Sequence, residues 1–186
     1  MRDRTKTMPI ANAALLLLCA LLLCRGAAAT AQDSLASVDG VKAGFLFNFA
    51  KFTEWPVASA GETAPLRICA VGRNPLDGQL ALLQGRRINN RTVEIRLKVP
   101  PGDWPACHLL YLASEDRERV DGVLKATAHT PVLTVGDLPG FAQKGGMIEL
   151  REMDNRMRFE INLAAARQTG LNLSSQMLKL ATRVWQ

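Results

Sequence analysis

Apolar residues come in short blocks along this chain, and their spacing switches between helical and strand-like periods. In residues 41–56 (VKAGFLFNFAKFTEWP), Val41, Phe45, Phe49 and Phe52 recur at helical intervals and form one apolar stripe. The helix is expected to stop near Thr53 or Glu54, because the residue before Pro56 is biased out of the α region. Lys42, Asn48 and Lys51 interrupt the segment, which therefore reads as a core-facing helix and not as a bilayer span. Leu46 and Phe47 fall off the stripe and leave apolar surface that a second layer or a partner must cover.

Residues 66–71 (LRICAV), 108–113 (HLLYLA) and 131–135 (PVLTV) are unbroken apolar runs, the pattern of strands buried on both faces. Residues 92–99 instead alternate, with Val93, Ile95, Leu97 and Val99 on one side, so a half-exposed strand near the sheet's edge is expected. Residues 147–153 and 156–162 predict a hairpin across Asp154-Asn155, two residues that tolerate positive φ. Helices are expected from Pro75 to about Gln84, over 115–128, over 164–169 and over 174–185. Strand, helix, strand, strand, helix, strand, then a hairpin and helices, predicts an α/β fold: a single-domain sandwich with a central mixed β-sheet flanked by helices.

Residues 1–31 stand apart. A basic start (Arg2, Arg4, Lys6), an apolar run from Ile10 to Cys24 and a small-residue stretch ending Ala29-Thr30-Ala31 read as a secretory signal peptide, leaving residues 32–186 as the folded domain. Its loss removes Arg2, Arg4, Lys6, Arg25 and Asp3, so the net charge falls from +6 to +3 and nucleic acid is not implied. Only Cys69 and Cys107 remain, in a compartment that permits disulfides, and they are expected to pair. Neither lies in a CxxC motif, and no basic partner marks either thiol as activated.

Catalytic and cofactor chemistry finds no foothold. His108 and His129 have no neighbouring ligand residues at metal spacing, so neither a metal site nor a cofactor is expected. Ser114 follows a strand, but Ala113 and Glu115 stand where a nucleophile elbow would carry glycines. One weak anion or ligand site remains at Gly72, Arg73 and Asn74, a glycine between a strand and a helix start; Gly136-Asp137 is a companion at another strand end.

Several of these segments, taken in order, resemble the YfiR family: residues 41–56, LRICAVG at 66–72 with Pro75-Leu76, CHLLYL at 107–112, VLTVGDLPGF at 132–141, GGMI at 145–148 and FEINLAAARQTGLNLSSQMLKLA at 159–181. The resemblance implies a periplasmic regulator without catalytic activity, an α/β sandwich that is often dimeric. It implies as partners the periplasmic domain of an inner-membrane diguanylate cyclase, which it represses to lower cyclic di-GMP and biofilm formation, and an OmpA-like outer-membrane lipoprotein that sequesters the repressor. A cysteine pair like Cys69 and Cys107 is a structural bridge in the family, whereas YfiR's second bridge has no counterpart after Cys107. Leu46, Phe47, Trp104 and Phe141, apolar and outside the first stripe, are the expected contact residues for a partner. A small-ligand sensor using the strand-end loops is the alternative function.

Overall fold

A computed structural model describes residues 37–56, 64–72 and 75–186; the expected signal peptide lies outside them. Helix α1 (Val38–Lys51) begins where the Ser37 hydroxyl accepts from the Gly40 N–H at 3.0 Å, an N-cap that satisfies one of the helix's free donors. Strand β1 (Thr53–Glu54) follows, then β2 (Leu66–Ala70) and a 3-10 helix, Pro75–Leu83. The chain continues through β3 (Arg87–Ile88), β4 (Arg91–Arg96), a 3-10 helix at Pro101–Ala106, β5 (Leu109–Leu112) and a further 3-10 segment, Ser114–Arg119. Next come α2 (Val120–Thr127), β6 (Leu133–Gly136) and the hairpin of β7 (Ile148–Met153) and β8 (Arg156–Asn162). The final elements are α3 (Leu163–Gln168), β9 (Asn172–Leu173), α4 (Ser175–Leu180) and β10 (Arg183–Trp185).

Eight strands form one mixed sheet in the order β10-β8-β7-β6-β5-β2-β4-β3, and β1 pairs with β9 in a separate ribbon. Strands β4, β2, β5, β6 and β7 run parallel, so their chain order across the sheet is 2-1-3-4-5, a doubly wound arrangement. Alternating side chains of the central strands divide the interior in two. Leu66, Ile68 and Ala70 of β2 and Leu109 and Tyr111 of β5 join the layer under α1, where Ala43, Leu46, Phe49 and Ala50 pack. Cys69, Leu110 and Leu112 point the other way, into a layer with Trp104, Val120, Val123 and Phe141.

The expected α/β sandwich is present, with local differences; the expected helix from Pro75 and the first part of that over 115–128 are 3-10. The buried face of α1 carries Ala43, Leu46, Phe49 and Ala50, while Phe45 and Phe52 are only half-buried. Apolar side chains nearly encircle this helix, so periodicity could not pick its inner face, and the alanines let the backbone approach the sheet closely. The expected terminal helix breaks after Leu180, and Arg183–Trp185 pairs with β8; a β-branched and an aromatic residue favour the strand where a sheet edge is free. Strand β4 stops at Arg96 because Lys98 turns the chain with φ +56° and the Val99 N–H returns to the Ala70 carbonyl at 3.2 Å. Outside β4, the Gln84 side-chain oxygen accepts from the Ile95 N–H at 2.7 Å, closing a stretch of edge that the short β3 does not reach.

Cys69 and Cys107 form a disulfide, with Cα atoms 6.0 Å apart, and so join β2 to the entrance of its parallel neighbour β5. The turn after β6 is held by Glu149, whose buried carboxylate accepts from the backbone N–H groups of Gly140 and Ala142, both at 3.1 Å. This sets Phe141 against Gly136 and Gly146, where a Cβ would lie 2.9 Å and 2.2 Å from its ring.

Gly146→Ala should therefore destabilise the protein by about 1–3 kcal/mol in urea unfolding, since Phe141 has to move. Gly44→Ala, in α1 with open space around its Cβ, should stabilise it by about 0.5–1 kcal/mol. Replacing Cys69 and Cys107 together by alanine should cost about 2–5 kcal/mol on the same assay.

Candidate functional site

At the carboxyl ends of the parallel strands, the two loops nominated from sequence differ in what they offer. Gly72 lies against Asp116: a Cβ on Gly72 would come within 2.5 Å of the Asp116 carboxylate, which therefore fills the space beside the loop. Arg73 and Asn74 lie outside the described residues. Asp137, after β6, is engaged by Lys42 of α1 at 2.5 Å and by the Tyr111 hydroxyl of β5, which donates to the same oxygen at 3.0 Å. Burial and the adjacent Asp137 carboxylate push the Tyr111 phenol well above its usual range, keeping it a neutral donor. Asp137 thus fastens α1 to the strand ends instead of opening onto solvent, although its second oxygen is buried without a partner.

A second polar cluster sits at the amino ends of β2 and β5. The backbone N–H of Arg67 donates to Nδ1 of His108 at 3.0 Å, and Nη2 of Arg91 lies 2.7 Å from Nε2. Arg91 also donates to the carbonyls of Ala64 and Pro65, and Arg67 reaches Glu94. Trp55 crosses the His108 ring edge-on and donates its indole N–H to the His108 carbonyl at 3.2 Å. Burial, then the positive charges of Arg91 and Arg67, lower the His108 pKa to about 4, and a second proton, on Nδ1, would set its N–H against the Arg67 N–H. His129 is exposed, and no group of three or more His, Cys, Asp or Glu among the described residues could hold a metal ion.

The expected contact residues fall mostly inside the protein. Leu46, Phe141 and Trp104 are 0%, 1% and 5% exposed and belong to the two cores, so they are not at the surface where a contact was expected. The error came from reading the wrong face of α1 as its interior and from treating two loop aromatics as uncovered. Phe47 is half-buried beneath the Arg86 guanidinium, 4.9 Å from its ring centre. Among the described residues, the large apolar side chains that do face solvent are others: Val38, Leu82, Leu97, Met153 and Leu180. No periodicity marks them, because a single exposed leucine looks like a core residue in sequence.

The profile of the family described as YfiR/HmsC-like matches residues 39–182, from the first turn of α1 to the approach to β10. The chain belongs to the YfiR/HmsC-like family. Its fold is also similar to the crystal structure of a conserved domain protein from Vibrio cholerae O1 biovar El Tor str. N16961, with a TM-score of 0.52 at 9% identity. The likeness covers 79% of this chain but 60% of that protein's length, and at such identity it concerns the fold alone. No curated protein matches the sequence. Family membership accounts for the order of the motifs along the chain and is consistent with a regulatory, non-enzymatic protein. No helix among the described residues of this YfiR/HmsC-like chain is long and apolar enough to cross a membrane.

Because the folded-state pKa of His108 lies below its unfolded value of about 6.5, the unfolded chain binds more protons between pH 6.5 and about 4. Stability from this group is complete above pH 6.5 and declines as pH falls toward 4. His108→Gln should flatten that part of the stability–pH curve, measured by urea unfolding at a series of pH values.

Proposed function

We propose that this protein is a periplasmic regulator that binds the periplasmic domain of an inner-membrane diguanylate cyclase and holds the enzyme inactive. The observation that carries the reading is the YfiR/HmsC-like match across residues 39–182. Two structural features support it: the buried ionisable groups His108, Tyr111, Asp137 and Glu149 are engaged in ties between elements, and apolar side chains face solvent on α1 and the 3-10 helix packed against it. Val38 is 49% exposed and Leu82 70%, and a Cβ on Gly40 would meet the Gln79 side chain at 3.5 Å, so the two elements meet near those positions.

Repression of this kind needs no chemistry from the regulator. It binds the inactive arrangement of the cyclase more tightly than the active one, and moving an equilibrium from 1:99 to 99:1 takes about 5.5 kcal/mol of differential affinity. A standard interface of roughly 800 Å² per partner can hold that much. In this reading, residues 1–31 direct export and the disulfide suits the oxidising compartment in which the protein works.

Crosslinking in intact cells followed by purification from membranes should recover a diguanylate cyclase, and deleting the protein should raise cyclic di-GMP several-fold. Val38→Glu and Leu82→Glu should each weaken capture while leaving the unfolding midpoint unchanged, since both side chains are exposed. Recovery of no cyclase, with cyclic di-GMP unmoved by the deletion, would overturn the proposal.

A further inference from the structure

Doubly wound sheets bind ligands outside the carboxyl ends of their strands, near the point where the strand order reverses. Here the reversal lies between β2 and β5, and a cavity of about 480 Å³ opens beside it. Segments after three strands build its wall: Val71 follows β2, Lys98 to Pro101 follow β4, and Glu118, Arg119 and Gly122, from the 3-10 segment and α2, follow β5. That volume falls in the range of small-molecule sites, about 300–1,000 Å³.

Trp104 supplies a rigid apolar wall. Its indole N–H is already spent on the Val99 carbonyl at 2.9 Å, so the ring can offer the cavity only apolar contact. Val71, Val99, Pro100 and Pro101 extend the apolar lining. Gly122 leaves room: an alanine Cβ there would sit at an ordinary 3.7 Å from the Trp104 ring, so packing against Trp104 does not demand glycine, and a glycine in a helix costs about 0.5–1 kcal/mol relative to alanine.

The rim carries charge in a definite balance. Lys98 is fixed in place by its left-handed backbone and by the Val99-to-Ala70 hydrogen bond, yet its side chain makes no hydrogen bond or ion pair among the described residues. Arg119 is only loosely held, 3.4 Å from the Val71 carbonyl and 3.7 Å from Asp116, which does not line the cavity. With Glu118 on the same rim, two cations face one anion among the described residues, which favours a ligand carrying a single negative charge over a phosphate dianion.

We propose that this cavity binds a small aromatic carboxylate, its ring against Trp104 and the two prolines and its carboxylate between Lys98 and Arg119. Sensing of such a molecule goes beyond the repressor reading and stands independently of it. The cyclase capture described above reads a different surface, so either proposal can fail while the other holds.

The test is titration of the oxidised protein by calorimetry and by amide chemical shifts, with benzoate, benzyl alcohol and phenyl phosphate as probes. Benzoate should bind saturably at one site and at least about ten-fold more tightly than neutral benzyl alcohol or dianionic phenyl phosphate. Lys98→Asn keeps a residue suited to positive φ, and it and Arg119→Gln should each weaken benzoate about ten-fold, the loss of one charge-assisted contact. Gly122→Leu should abolish binding by occluding the space beside Trp104, Lys98→Asn and Arg119→Gln should keep the wild-type unfolding midpoint, and Gly122→Leu should not lower it. Failure of benzoate to saturate below about 10 mM, equal binding of benzyl alcohol, preference for phenyl phosphate, or benzoate binding unchanged in the three variants would each overturn the assignment.

Discussion

The fold rests on the need to cover five parallel strands on both faces. An antiparallel sheet can leave one face wet, but here β2, β5 and β6 carry buried side chains at nearly every position. Two separate layers are therefore obligatory, one built from α1 and the neighbouring 3-10 helix, the other from α2, Trp104 and Phe141. Each layer is held to the sheet by a polar tie as well as by packing. Lys42 and Tyr111 meet on Asp137 on one side, and Glu149 gathers the turn that carries Phe141 on the other.

This arrangement explains where function can reside. Ionisable groups with shifted pKa values are often catalytic, yet those of His108 and Tyr111 follow from burial inside ties between elements. Among the described residues, their neighbours are backbone groups and structural ion pairs. What remains free for recognition is at the surface: apolar side chains on α1 and its neighbour, and the cavity between three strand-end loops.

Much of the architecture was legible in sequence because its signals are strong and local. The unbroken apolar runs marked the central strands, Asp154-Asn155 marked the hairpin, and the two cysteines beyond residue 31 marked the cross-strand bridge. Three features were not legible, each for a physical reason. Helix α1 is apolar nearly all round, so the side facing the sheet was set by tertiary fit of its alanines and Leu46. The residues after Leu180 keep a helical spacing, but a free edge on β8 offered them hydrogen bonds that the helix could not. Lys98 continued an alternating strand pattern, and only the return of Val99 to β2 made it a turn residue at the mouth of a cavity.

The capping of β4 by Gln84 makes the two borders of the sheet unequal. On one side, a side-chain amide and a two-residue strand close off the backbone. On the other, β10 ends the sheet as three residues with Trp185 half-buried beside Arg183. Among the described residues, the backbone groups open to a further strand are therefore distributed unevenly, fewer at the β4 side than along β10.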